Sequence, residues 1–299
     1  MAKKRKAPIL LFLLMSAAGA GIMLYPTVSD AINGFRQTKA IAAYHTELTQ
    51  TADDRIQGIL EEAGRYNEKL RNLNGAPYNS GAMHAEYEAA LRLDGSDVIG
   101  YVEIPKIKVY LPIFHDANES TLAVGVGHVE GTSLPIGGEG THTALSGHRG
   151  LPSAKLFTNL DKMEKGDIFM VHVLNDTLYY KVEEIDAVLP EQVGELSIQP
   201  GRDLATLVTC TPYGLNTHRL LVTGARIAES ELPEGMRALP PRLPSFDWRN
   251  QPIVFPIHSK ILLAGAALAL VVRIVLEARS KRLLKGRPRV KRRGAYNTV

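Results

Sequence analysis

The order of apolar and polar positions divides the chain into distinct parts. Two long apolar runs lie near its ends, at residues 8–25 and 253–276. Over residues 38–73, apolar side chains recur every three or four positions with charged residues between them, which predicts amphipathic helix. After Asp94 the pattern changes to short runs rich in β-branched and aromatic residues, separated by turns, which predicts strands.

The β-rich part predicts one barrel. Seven or eight short strands with one or two helical inserts, such as 154–163, favour a closed, antiparallel-rich barrel and a mainly β fold class. A short helix is predicted over 83–93, after a turn-rich stretch at 72–81. The strand candidates are 98–104, 109–114, 142–146, 168–174, 178–182, 204–209 and 219–223.

The apolar runs predict a membrane protein. Residues 8–25 carry no charge and would form a helix about 27 Å long, close to the roughly 30 Å thickness of a bilayer core. Residues 253–276 have a shorter charge-free centre between Lys260 and Arg273, so both side chains must reach toward the interfaces. The alternatives are a cleaved signal peptide for the first run and a surface-bound amphipathic helix for the second.

Charge is concentrated at the two ends. The chain has a net charge of +4, but the basic ends carry +13, so the remainder carries −9. Clusters of Lys and Arg stay cytoplasmic, which predicts both termini inside and the intervening region outside the cell membrane. An acidic folded region also argues against a nucleic-acid partner.

These observations predict seven segments. A basic cytoplasmic tail, 1–7, precedes the transmembrane helix 8–25. A helical extension with a lid-like segment, 26–97, leads to the barrel domain, 98–228. A Pro-rich linker, 229–252, joins the barrel to the transmembrane helix 253–276 and the basic tail 277–299.

The only cysteine, Cys210, is the candidate nucleophile. It has no partner for a disulfide within the chain, so reactivity is the expected reason for its presence. A thiol nucleophile needs a base, and a forming oxyanion needs a donor. His148 follows a predicted strand in a glycine-flanked loop. If the residues after Cys210 form a hairpin, Arg219 faces it from the return strand. His142 and His218 are alternatives for the base.

These residues also carry a resemblance. Ser146-Gly-His-Arg-Gly150, Thr206-Leu-Val-Thr-Cys210 and Arg219 resemble the signature of the sortases, Gram-positive cell-surface cysteine transpeptidases. Residues 99–107 are similar to the first barrel strand of the family, and the resemblance covers about 64–227. A membrane segment at each end and the N-terminal extension are similar to the class C, pilus-assembly branch.

The resemblance implies an eight-stranded sortase barrel and a mechanism. Cys210 would cleave an LPXTG-like sorting signal between Thr and Gly, and His148 would act as general acid and base. Arg219 would stabilise the oxyanion or hold the signal backbone. The implied partners are a pilin or surface protein bearing the signal, an amine acceptor (a pilin Lys or a cell-wall precursor) and the membrane, with no cofactor and no metal.

Several alternatives stay open on the sequence. Class C enzymes usually carry an Asp-Pro-aromatic plug in a lid, and this chain has no Asp-Pro; Pro77-Tyr78 or Met83-His84 would have to serve. The other functions to consider are anchoring of surface proteins to the cell wall, a cysteine hydrolase that releases its product to water, and a non-catalytic wall-binding module.

Overall fold

The computed structural model describes residues 6–73 and 80–237. The described residues between 25 and 237 belong to one compact unit, which holds the barrel. The helices are α1 (Lys6–Gln50), α2 (Asp53–Asn72), α3 (Ser80–Ala89), α4 (Glu119–Leu122) and α5 (Glu234–Arg237).

Eight strands close into the predicted barrel, in the order β1-β2-β3-β4-β7-β8-β6-β5. Most neighbours are antiparallel, but β2 with β3 and β4 with β7 are parallel. The mainly β fold with a closed eight-stranded barrel is therefore confirmed. The strands are β1 (Val98–Ile104), β2 (Val109–Phe114), β3 (Val126–His128), β4 (Thr141–Ser146), β5 (Ile168–Val173), β6 (Asp176–Val188), β7 (Asp203–Thr211) and β8 (His218–Ile227).

The helical insert expected at 154–163 was wrong. Only a 3-10 turn, Leu160–Lys162, forms there. Leu156 has a φ of 37°, which a right-handed helix does not allow, and the amide of Phe157 donates to the carbonyl of His148 instead of to a residue one helical turn earlier. The segment is therefore folded against the loop after β4.

Helix α2 is held against the barrel by its apolar face and by one buried amide. Its buried apolar residues recur at helical spacing, as predicted. Between them, the Asn67 side chain is 2% exposed and makes two hydrogen bonds to the backbone of Leu134. Its Nδ2 donates to the carbonyl over 3.1 Å, and its Oδ1 accepts from the amide over 2.7 Å. Both polar groups of a buried loop residue are thereby satisfied.

Helix α1 contacts the same unit through polar side chains. The buried Tyr44 hydroxyl accepts from the amide of Leu174 over 2.6 Å and lies 3.3 Å from the carbonyl of Ile99. Nearer the N-terminus of α1, the side chains of Gln37 and Asn33 donate to backbone carbonyls of the barrel loops, over 2.8 and 2.9 Å respectively. The second half of α1 is thus joined to the barrel along one face.

Helix α3 is joined to the barrel by a buried Tyr–His pair. The Tyr87 hydroxyl lies 3.0 Å from Nδ1 of His128, and Nε2–H of that histidine donates to the carbonyl of Ser133 over 2.9 Å. His128 is completely buried, and burial lowers its pKa to about 4. The imidazole is therefore neutral near pH 7.

Of the two predicted membrane segments, residues 8–25 form part of α1 and are described. Residues 253–276 fall outside the described residues, as do 1–5 and 238–252. Within the described ranges, no helix combines the length and the apolar content that a membrane crossing requires. The two spans stay predictions.

We expect the protein to lose stability as the pH falls from about 6.5 to about 4, partly because of His128. The unfolded state has the ordinary His pKa of about 6.5, so between these values it binds more protons than the native state. From pH 7.5 to pH 5, His128 alone should lower the free energy of unfolding by about 2 kcal/mol. Urea unfolding followed by circular dichroism at both pH values measures this loss.

The matched variants are His128→Gln and His84→Gln. The first should lose less stability than the wild type over the same pH interval. The second removes an exposed histidine whose pKa is raised by its hydrogen bond to Glu130, so it should keep the acid loss. An equal acid loss in wild type and His128→Gln would contradict the prediction.

Candidate active site

The cysteine and the arginine that the sequence singled out lie directly opposite each other. Cys210 pairs in register with Arg219 across the antiparallel β7–β8 ladder. Residues directly opposite in such a pair project from the same face of the sheet, with Cβ atoms about 5 Å apart. Both side chains are partly exposed. The thiol and the guanidinium therefore share one face, as the hairpin prediction required.

On its other side, β7 is paired with β4, and this pairing positions the histidine loop. The strands run parallel, with Ser146 opposite Val208. Beyond that pair, the amide of Gly147 donates to the carbonyl of Val208 over 3.0 Å, and the Thr209 hydroxyl donates to the carbonyl of Gly147 over 2.7 Å. These bonds continue the pairing past the end of β4 and set the start of the His148 loop beside the thiol.

Hydrogen bonds and close packing hold the backbone of the histidine loop at several positions. The carbonyl of His148 accepts from the amide of Phe157 over 3.1 Å, and the amide of Gly150 donates to the hydroxyl of Thr158 over 3.1 Å. A Cβ atom at Gly147 would lie 2.7 Å from the Phe157 ring, so only glycine allows this close approach. The loop path is therefore fixed by contacts with residues 157–158.

The imidazole of His148 itself is not oriented by an acid. Within residues 6–73 and 80–237 it has no hydrogen-bonding or ion-pair partner, and the side chain is partly exposed. Among the described residues, no acid is therefore placed to act as a third member of a catalytic triad. The position of His148 has to come from its backbone.

The two competing histidines have other surroundings. His142 is fully buried, with Nε2 2.7 Å from the hydroxyl of Thr206 and Nδ1 2.9 Å from the carbonyl of Ser197. Burial lowers the pKa of His142, so it is neutral near pH 7. His218 follows the hairpin and pairs with Thr211. Because successive strand residues face opposite sides, it points away from the face of the thiol.

Arg219 keeps its charge free for a ligand. Its Nη1 lies 3.3 and 3.4 Å from the backbone carbonyls of His218 and Asn216. No carboxylate in the described part of the chain forms an ion pair with it. A guanidinium in this position can donate hydrogen bonds to an oxyanion that forms on a substrate carbonyl next to the thiol.

Three exposed apolar side chains form a partial rim at this end of the barrel. Tyr213 and Leu215 in the β7–β8 loop are 61% and 72% exposed. Leu189, 42% exposed, follows Val188, the partner of Arg219 in the β6–β8 ladder. Exposed apolar side chains near a nucleophile can receive the side chains of an extended peptide.

The described part of the lid-like segment is not a plug. Met83 is buried in the hydrophobic core, and His84 pairs with Glu130 over 2.9 Å. Glu130 follows β3, which runs antiparallel to β4 and therefore leads away from the end that carries His148. Met83-His84 is thus excluded as a plug, whereas Pro77-Tyr78 lies outside the described residues.

Two charged residues beside the site had no role in the sequence prediction. Arg149 and Asp161 form an ion pair of 2.7 Å. The position of Arg149 next to His148 was the one sequence signal for this ion pair. Asp161 gave no signal, because the sequence predicts its segment to be helical. No group of metal-binding side chains occurs among residues 6–73 and 80–237.

Comparisons with known proteins agree with this geometry. The sortase domain family matches residues 102–227. Sortase A from Bacillus anthracis is 30% identical over 132 residues, which are 44% of this chain and 61% of that relative. The match thus spans less than two thirds of that curated relative.

Two crystal structures are more similar. Sortase C1 from Streptococcus agalactiae is 43% identical with a TM-score of 0.61, covering 64% of this chain and 98% of that one. Sortase C from Clostridium perfringens, solved with the C-terminal cell wall sorting motif, is 39% identical with a TM-score of 0.54, again covering 64% and 98%. Sortases are cysteine transpeptidases. With its barrel, its cysteine and these relatives, the chain belongs to the sortase family.

Proposed function

We propose that this protein is a membrane-anchored sortase that polymerises pilins. The observation that carries the proposal is the pairing of Cys210 with Arg219 beside the His148 loop. Similarity to structures described as pilus-related sortase C supports the pilin substrate. The substrate would be a protein with an LPXTG-like signal, and the acceptor would be a Lys amine of the next pilin.

The first half of the reaction breaks the Thr–Gly bond of the signal. The Cys210 thiolate attacks the Thr carbonyl carbon, and the carbonyl electrons move to oxygen. Arg219 donates to that oxyanion. When the tetrahedral intermediate collapses, the C–N bond breaks and protonated His148 gives its proton to the departing Gly amine. The product is a thioester between Thr and Cys210.

The second half forms the new peptide bond. Neutral His148 removes a proton from the incoming amine, which attacks the thioester carbonyl. Collapse of the second tetrahedral intermediate expels the Cys210 thiolate and leaves an amide. One amide is broken and one is formed, so the reaction as proposed consumes no nucleotide. The exposed rim of Leu189, Tyr213 and Leu215 would hold the apolar part of the signal.

In this proposal, two membrane-spanning segments hold the active site outside the cell. Residues 8–25 and 253–276 would each cross the bilayer, with both basic termini in the cytoplasm. The folded unit within residues 25–237 would then lie on the extracytoplasmic side, where sorting signals emerge. Protease added outside intact cells should reach the folded unit and spare the termini.

We expect His148→Gln to lose transpeptidation and His142→Gln to keep it. Removing a general acid–base residue costs about 10²–10⁴-fold. The value of kcat/KM for an LPXTG peptide with an added amine should therefore fall by about 10³-fold in His148→Gln. His142→Gln should lose stability rather than activity, so its kcat/KM per folded molecule should fall far less than that of His148→Gln, since its imidazole bonds only to structural groups. A larger activity loss in His142→Gln than in His148→Gln would contradict the assignment.

Polymerisation and wall anchoring differ in the acceptor. We expect cells carrying Cys210→Ala to lose high-mass pilin ladders on denaturing gels, because only a polymerising enzyme links one pilin to the next. Cells with the wild-type protein are the control. Ladders that persist while a surface protein is no longer attached to the wall would favour the anchoring function instead. Ladders and anchoring that both persist would favour a non-catalytic module.

A further inference from the structure

The residue after His148 connects the histidine loop to the cysteine strand. The Arg149 side chain is 8% exposed. Its Nη1 donates to the hydroxyl of Thr211 over 3.0 Å, and its Nη2 forms the 2.7 Å ion pair with Asp161. Thr211 directly follows Cys210. One guanidinium therefore joins the residue after the histidine to the residue after the nucleophile.

The aromatic ring of the hairpin loop adds to this connection. The Arg149 guanidinium carbon lies 5.9 Å from the centre of the Tyr213 ring, within the range of a cation–π contact. Gly150, with a φ of +80°, lies so close to the same ring that a Cβ atom there would be 2.8 Å from it. The loop after β4 and the loop after β7 are thus in direct contact.

A guanidinium is suited to this arrangement because its donors have a fixed planar geometry. Two separate nitrogens bind Thr211 and Asp161 at once, so the relative position of the two segments is determined. A Lys side chain has one point charge and cannot reproduce both contacts. Arg149 Nε is also buried and has no hydrogen-bonding partner in the described part of the chain. A buried donor without a partner costs free energy, so the arrangement is unfavourable for a residue whose only role is to stabilise the fold.

We propose that Arg149 is the positioning residue that sets the distance and orientation of His148 relative to Cys210. This inference rests on the proposed transpeptidase function. His148 has no acid to orient its imidazole, so its placement depends on its backbone, and Arg149 is the neighbouring side chain that links this backbone to the cysteine strand. Arg149 acts through His148 and does not contact the substrate.

Four variants test the proposal in the full-length protein. Arg149→Met keeps the length and apolar stem but removes both polar contacts. Arg149→Lys retains the charge, and Asp161→Asn weakens only the ion pair. The matched control is Arg202→Met. Arg202 forms a more exposed ion pair with Glu183, next to Asp203 and therefore at the opposite end of β7 from Cys210.

The assay measures kcat and KM for an LPXTG peptide and an amine, with kcat expressed per reactive thiol. Cys210 is the only cysteine, so a thiol reagent counts the nucleophiles that are not oxidised, and circular dichroism gives the folded fraction. A displacement of about 1 Å can cost about 10²-fold in rate. We expect Arg149→Met to lower kcat by about 30- to 100-fold, with KM within about threefold of the wild-type value. The kcat values of Arg149→Lys and Asp161→Asn should lie between those of Arg149→Met and wild type. Arg202→Met should match wild type.

Hydrogen exchange gives the second readout. Amides 147–150, 211 and 213–217 should exchange faster in Arg149→Met, while the amides of β1 and β5 keep their wild-type rates. A wild-type kcat per thiol in Arg149→Met would overturn the proposal. So would a loss that appears only in KM, or one that disappears after correction for the folded fraction. If Arg149→Met does not fold, the same criteria apply to Arg149→Lys and Asp161→Asn. Wild-type protein that joins no signal peptide to any amine would overturn the proposed function itself.

Discussion

The site depends on the position of β7 between one parallel and one antiparallel strand. On one side, β7 pairs in parallel with β4, and on the other side it pairs antiparallel with β8. A parallel neighbour ends at the same edge of the sheet, so the loop after β4 emerges beside Cys210. An antiparallel neighbour begins at that edge, so Arg219 emerges there too. Three residues that are far apart in sequence meet because one strand has both kinds of partner.

The rest of the unit keeps this edge in place. Asn67 satisfies a buried loop between β3 and β4, and His142 joins β4 to the β6–β7 loop through Ser197. Burying a histidine in a core costs little free energy only while its imidazole is neutral and hydrogen-bonded. The same residue type therefore has different surroundings here: His142 and His128 are buried and structural, whereas the partly exposed imidazole of His148 has no hydrogen-bonding partner among the described residues.

The sequence predicted seven of the eight strands, but it ended β6 at 182 instead of 188 and β8 at 223 instead of 227. It missed β3, which has only three residues and contains Gly127, whose added Cβ would lie 2.5 Å from the backbone of Ala117. It wrongly predicted a helix at 154–163, because burial of Phe157 against Gly147 outweighs local helix propensity. The Cys210–Arg219 pairing was predictable from hairpin geometry. The contacts of Arg149 were not, because Asp161 and Thr211 are distant in sequence and no local pattern connects them.

Acyl transfer through Cys210 is the central claim, and the covalent intermediate tests it most directly. The protein would be incubated with an LPXTG peptide without an acceptor amine, quenched in acid and digested for mass spectrometry. We expect the peptide, cut after Thr, to be attached to Cys210 as a thioester that hydroxylamine removes. A chain that turns over the peptide without any adduct on Cys210, or with an adduct at another residue, would contradict the account.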